Sequence, residues 1–280
     1  MLYGYSRPAA PTYALAGTGA AFQTDIRLAN GQPSEATVIS WLTTGSPVIA
    51  DYIDLRCSFA TAITPGLVSL IKLSCPAGTK IEVTAKRPAD GGYTYSLGGL
   101  SLTQRTSEAP DGRIEHLLDL AAGLDPIEGI QWRIFNDQDG STWATASTDL
   151  SSGAADVWEA VDLDGKPGWA DASTDPTTRE RTLSGGIHVV PRVAFRALVV
   201  ELQKGLVGKV RQNGLAQSMD WQKLRAAAAG DSRALLIIDT EDALAIQRTA
   251  LFGMPTLKDI KHRDGSRYVY DAQLRVDEVR

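Results

Sequence analysis

Short runs of alternating apolar and polar residues, separated by Gly, Pro and Asp, recur along this chain. Two of the clearest are residues 80–86 (KIEVTAK) and residues 129–136 (GIQWRIFN). Side chains of a strand point alternately to the two faces of a sheet, so this pattern predicts strands with one buried face. The side chains expected to face inward are Ile81, Val83, Trp132 and Ile134.

The spacing of these strand candidates favours an antiparallel sheet structure over residues 35–161. Turn residues such as those of Asp90-Gly91-Gly92 separate short strands at regular intervals, which is typical of β-sandwiches and jelly rolls. Helical crossovers of the kind that parallel sheets require are missing from the pattern. We therefore predict a mainly β protein whose first large domain is a jelly-roll or β-sandwich.

Two segments lack a strand pattern. Residues 1–34 are rich in Ala, Gly, Pro and Tyr, and we predict an extended N-terminal arm there. Residues 162–181 (DLDGKPGWADASTDPTTRER) are rich in Asp, Gly, Pro and Thr, which is typical of a connection between domains. The sequence therefore predicts a linker over residues 162–181.

Residues 182–280 contain both strand patterns and helix-forming sequence, so we predict a second, β-rich α+β domain with an assembly role. Strands are expected near residues 192–203, 233–239 and 267–279, and one helix near residues 219–229. Positions three and seven residues apart share one helix face. The helix is expected to bury Trp221, Leu224 and Ala228.

Charge and hydropathy exclude several classes of protein. The 28 basic and 33 acidic residues are interspersed and give a net charge of −5, which is unlike the basic stripe of a nucleic-acid-binding protein. No apolar run approaches the length of a membrane span, so we expect no membrane insertion. The N-terminus lacks the pattern of a secretory signal, and Cys57 and Cys75 are expected to stay reduced and unbonded to each other.

Residues with catalytic or metal-binding potential do not group in the sequence. His116, His188 and His262 are isolated, and no serine elbow or phosphate-binding glycine loop is present. The sequence around Asp137 and Asp139 resembles the start of a calcium loop but lacks its closing glutamate. We therefore predict no catalytic residue, no cofactor-binding residue and no metal ligand, and a protein that is not an enzyme.

Tryptophans supply the alternative hypothesis, a carbohydrate-binding module that engages host-surface glycans. Sugar-binding sandwiches stack sugars on exposed aromatic rings, and Trp143 and Trp169 lie in turn-rich segments that favour exposure. Trp41, Trp132 and Trp158 lie in strand patterns and are expected in the core instead. Trp143 and Trp169 are therefore the candidate glycan contacts.

Several segments resemble a family of bacteriophage tail-tip and baseplate proteins. Residues 66–99 (GLVSLIKLSCPAGTKIEVTAKRPADGGYTYSLGG) resemble the family's jelly-roll portion, and residues 129–141 resemble a later strand of it. Residues 175–202 are similar to the start of the family's second half. Residues 247–279 are similar to its C-terminal part, although Gln247 stands where the family pattern has His.

The resemblance covers about residues 35–280 and implies a protein like the distal tail proteins, with a galactose-binding-like sandwich. Such a protein forms a homo-oligomeric ring between the tail tube and the hub. The implied partners are other copies of the chain and other tail proteins (tube, hub and fibres), with a host-surface glycan as a further ligand. The implied location is the tail of the virion, after assembly in the host cytoplasm. The shared motifs are structural, so the resemblance assigns no functional residue.

Overall fold

A computed structural model shows a mainly β protein built from antiparallel sheets. It describes residues 1–6, 11–17, 20–22, 28, 37–41, 52–73, 79–97, 102–103, 114–119, 125–136, 150–163, 165–181, 187–190, 194–204, 208–210, 218–219, 221–229, 233–239, 249–262 and 270–279.

The described strands of the N-terminal part are β1 (Leu2–Ser6), β2 (Thr12–Gly17), β3 (Ala20–Phe22), β4 (Thr37–Trp41), β5 (Tyr52–Ile63), β6 (Leu67–Leu73), β7 (Thr79–Lys86), β8 (Tyr95–Ser96), β9 (Leu102–Thr103), β10 (Ile114–Asp119), β11 (Ile127–Asn136), β12 (Leu150–Ser152) and β13 (Ala154–Leu163). The later elements are β14 (Gly165–Thr174), β15 (Thr178–Arg181), β16 (Ile187–Val190), β17 (Phe195–Lys204), β18 (Gly208–Val210), β19 (Ser218–Met219), α1 (Trp221–Ala227), β20 (Ala234–Ile237), β21 (Ala250–His262) and β22 (Tyr270–Glu278).

Two sheets pack face to face in the N-terminal part. One has the order β2-β5-β11-β7-β8, with β9 also paired to β7, and the other layer has the order β10-β6-β13. The chain crosses from one layer to the other between β5 and β6, between β6 and β7, and between β10 and β11, as in a β-sandwich. The predicted inward side chains are confirmed as buried between the layers: Ile81, Val83, Trp132 and Ile134.

The second layer continues without interruption into the rest of the molecule. From β13 the same sheet runs on through β1, β20, β21, β22 and β17 to β14. The first half of β13 pairs with β6, whereas its second half pairs with β1. One long strand therefore belongs both to the sandwich and to the C-terminal sheet.

The prediction of an extended arm is wrong for the first residues. Strand β1 lies between β13 and β20 and pairs antiparallel with both, and Leu2 and Tyr3 are fully buried. A run of five residues, LYGYS, is too short for its periodicity to stand out from the Ala- and Pro-rich sequence that follows.

The prediction of a linker over residues 162–181 is also wrong. Strand β14 occupies ten of these residues and pairs with β17 at the border of the large sheet, with a register irregularity between Gly165 and Trp169. Pro167 within it suggested a turn. A border strand tolerates proline, because its outer N–H groups need no partner within the sheet.

The C-terminal part has the predicted strands and helix, as β17, β20, β22 and α1. Ala272, Leu274 and Val276 alternate inward from β22 and join a core that includes Leu224 of α1. Of the predicted helix face, Leu224 is fully buried and Ala228 is half-buried, whereas the Trp221 side chain lies outside the described residues.

Close packing around Trp158 explains a glycine in β1. A Cβ added at Gly4 would lie 3.1 Å from the Cβ of Trp158, so the indole leaves room for little more than hydrogen there. The indole N–H donates to Ser69 Oγ at 2.9 Å, and the ring meets Phe252 edge-on. Trp158 thus links the shared strand β13 to strand β21 across the fold.

Tyr3 carries a buried hydroxyl that has no hydrogen-bond partner among the described residues. Burial raises the pKa of this phenol. Because the unmatched hydroxyl costs desolvation energy, we expect Tyr3→Phe to raise the free energy of unfolding by about 1 kcal/mol. Chemical denaturation measures the change. Tyr5→Phe, at a half-buried position beside it, should have little effect, and a destabilised Tyr3→Phe variant would show that the hydroxyl is satisfied.

Candidate functional site

The first surface with site-like chemistry is the outer face of the β2-β5-β11-β7-β8 sheet. Strand β5 turns Ile53, Leu55 and Cys57 into the core, so alternation directs Asp54 and Arg56 outward. On the neighbouring strand β11, Gln131 stands opposite Arg56 and Arg133 opposite Asp54. We call Asp54, Arg56, Gln131 and Arg133 the outer-face cluster.

Asp54 is the centre of this cluster, and its side chain has no exposed surface. Arg133 donates from Nε at 2.7 Å and from Nη2 at 2.9 Å to the two carboxylate oxygens. Arg56 donates from Nη2 to the same carboxylate at 3.2 Å, and from Nε to Gln131 Oε1 at 2.8 Å. The hydrogen bonds to Asp54 raise the pKa of Arg133, although its burial works in the opposite direction.

Tyrosine rings flank both guanidinium groups. The Arg133 guanidinium lies 4.0 Å from the ring centroid of Tyr52, and that of Arg56 lies 5.4 Å from the ring of Tyr93. Tyr93 lies across Gly129, where an added Cβ would come within 3.1 Å of the ring, and its hydroxyl is 2.9 Å from Ser58 Oγ.

The contacts of the cluster favour a structural role. Asp54 accepts hydrogen bonds from two guanidinium groups at once, so both of its carboxylate oxygens are engaged within the fold. The contacts join β5 to β11, which fixes the register of two central strands. The cluster is best explained as a cross-strand lock on the sandwich.

Removing the shared carboxylate should therefore weaken the sandwich. We expect Asp54→Ala to lower the free energy of unfolding by about 2–3 kcal/mol, less than for a fully buried pair because both arginines can regain water. Asp125→Ala removes an exposed carboxylate from its ion pair with Arg87 and should cost less than about 1 kcal/mol. If urea denaturation shows that both variants lose the same unfolding free energy, the outer-face cluster does not stabilise the sandwich as a cross-strand lock.

The second surface is the border of the large sheet at β14. Trp169 projects there with 47% of its surface exposed, on the same sheet face as its partner Val200. Nearby, Asp171 accepts hydrogen bonds at 2.9 Å from Nε of Arg196, so its charge is matched within the fold. Trp169 is exposed, as the sequence predicted, but it lies in a strand and not in a linker.

The third surface follows β14 directly. Strands β15 and β16 form a separate two-stranded sheet, which we call the hairpin arm. Ile187 is 65% exposed, and Val189 is also exposed on the same face of the hairpin. Their cross-strand partners are Arg181 and Arg179, so this face combines apolar and basic groups.

The other candidate residues of the sequence are distributed as follows. Trp143, Cys75 and the calcium-like Asp137 and Asp139 lie outside the described residues, whereas Cys57 is buried in the sandwich core. His116, His188 and His262 lie on β10, β16 and β21, with side chains that are not described.

Among the described residues, His, Cys, Asp and Glu side chains form no group that could hold a metal ion. In the same part of the chain, no helix has the length and apolar character that crossing a bilayer requires. The outer-face cluster was missed by the sequence analysis. The alternation in residues 52–59 (YIDLRCSF) could have indicated its outward polar row.

Comparison with protein-family models finds no match for this chain, and comparison with curated proteins finds none either.

Proposed function

We propose that this chain is a structural component of a bacteriophage tail, at the tail tip or baseplate, and that it assembles as a homo-oligomeric ring between tail tube and hub. The sequence resemblance over residues 35–280 supports the class of protein. The described architecture supports an assembly role, because exposed apolar side chains lie on the hairpin arm and on the β14 border.

The observation that carries the proposal is the border strand β14. Within the described part of the chain it pairs with β17 alone, and it is ten residues long. A long open border with an exposed aromatic residue invites pairing with another chain. Ring formation would cover this border in every subunit and leave none open, since a closed ring has no end.

Particle composition tests this proposal. Purified tails of the phage that encodes the chain should contain it. Quantitative mass spectrometry should find several copies per tail. Immunogold labelling should place it at the tip and not along the tube. Its absence from purified tails would refute the proposal.

The alternative function, a module that binds host-surface glycans, draws support from the exposed ring of Trp169. An indole with an open face can stack on a sugar. A glycan array with the purified protein, followed by Trp143→Ala and Trp169→Ala variants, tests it. Binding that both substitutions abolish would favour the alternative, and an array without binding would reject it.

A further inference from the structure

Exposed apolar side chains are concentrated on two surfaces of the described molecule. Of the five large exposed ones among the described residues, three lie on the hairpin arm and a fourth is Trp169 on β14. The fifth, Met254, lies apart on β21. Large exposed apolar groups that lie together mark interaction sites more often than single ones do. The hairpin arm and the β14 border are therefore the candidate interaction surfaces.

Among the described strands, the hairpin arm forms a sheet of two strands only. A hairpin of this kind is marginally stable in water unless it packs on another element. The apolar–basic face of Ile187, Val189, Arg179 and Arg181 provides a surface for such packing. The exposure of Ile187 and Val189 shows that the arm's own subunit leaves this face open.

Charge indicates what kind of partner the arm fits. The hairpin arm, residues 178–190, contains two arginines and one glutamate, for a charge of +1. With a total of −5, the rest of the chain carries −6. A basic arm on an acidic body is electrostatically complementary to the body of a second copy, which favours encounter between copies.

We propose that the hairpin arm of one copy docks on the β14 border of the next copy, with Ile187 and Val189 packed against Trp169. The two surfaces are different, so the contact is heterologous and runs head to tail. It covers the exposed apolar groups of the arm and the border together. This inference rests on the proposed function, for which it supplies the contact that closes the ring.

Two variants of the full chain each disrupt one of the two surfaces in this contact. Ile187→Asp combined with Val189→Asp disrupts the arm and leaves the border intact. Trp169→Asp disrupts the border and leaves the arm intact. Each variant alone should be monomeric in sedimentation velocity under conditions where the unmodified chain is oligomeric. Met254→Asp is the matched control, because Met254 is 37% exposed but belongs to neither surface, and it should stay oligomeric.

Mixing the two monomeric variants gives the decisive result. A head-to-tail contact predicts a heterodimer that grows no further, because one intact arm meets one intact border. Circular dichroism and thermal melting first establish that both variants are folded. Variants that still form the full oligomer, or a mixture of folded variants that stays monomeric, would overturn the docking proposal. An unmodified chain that is itself monomeric would instead refute the ring.

If the aspartate variants do not fold, disulfide crosslinking of cysteine variants tests the same contact. Val189→Cys and Trp169→Cys, in separate chains, should give a disulfide-linked heterodimer when mixed and oxidised. Val189→Cys mixed with Met254→Cys should give no comparable product. Equal crosslinking in both mixtures would contradict docking of the arm on β14.

Discussion

Trp132→Ala is expected to lower the free energy of unfolding by about 3–5 kcal/mol. The indole is fully buried between the two layers of the sandwich, on β11 and opposite Leu55 and Val83 of the flanking strands. Truncation would leave a cavity that the surrounding β-strands can close only in part. Equilibrium denaturation with urea measures the loss.

Two further variants define the source of this loss. Trp132→Phe keeps most of the volume and removes a buried indole N–H that has no partner in the described part of the chain, so it should cost less than about 1.5 kcal/mol. Met254→Ala, at an exposed position, should change stability by less than about 0.5 kcal/mol. If Trp132→Ala lowers the free energy of unfolding as little as Met254→Ala does, Trp132 does not lie in the core of the sandwich.

Deleting residues 1–6 should abolish cooperative folding of the C-terminal sheet and weaken the sandwich as well. Strand β1 is the partner of both β13 and β20, so its loss would leave two central strands without their shared neighbour. The fully buried Leu2 and Tyr3 would leave the core at the same time. Near-UV circular dichroism and the sharpness of the thermal transition measure the effect.

A point substitution tests whether the burial of β1 side chains, and not merely the loss of six residues, accounts for the effect of the deletion. Leu2→Asp places a charge at a position with no exposed surface and should destabilise by more than about 3 kcal/mol. Thr12→Asp places the same charge on an exposed position of β2 and should be mild. A truncated chain that melts cooperatively at the original temperature would restore the extended-arm interpretation.

Periodicity in the sequence predicted the elements that have one covered face. Strands β7, β11 and β22 alternate over seven or more residues, so their inward side chains could be identified without coordinates. The same holds for Leu224, because the helix has a simple three- and four-residue repeat. The local pattern was therefore sufficient to predict the buried side chains of strands and helices that have one covered face.

Pairing between distant segments could not be predicted in the same way. Strand β1 is buried because residues more than 150 positions later surround it, and its short sequence carries no sign of them. Strand β14 has the composition of a linker because a border strand can accept Pro and Gly. Asp54 and Arg133 are 79 residues apart, so their ion pair depends on strand order, which the sequence does not state directly.

Sedimentation velocity combined with negative-stain electron microscopy of the purified full chain tests whether the chain assembles into rings. We expect a closed homo-oligomer of one stoichiometry, visible as rings. A chain that stays monomeric at the highest attainable concentration, with no rings on the grid, would contradict it.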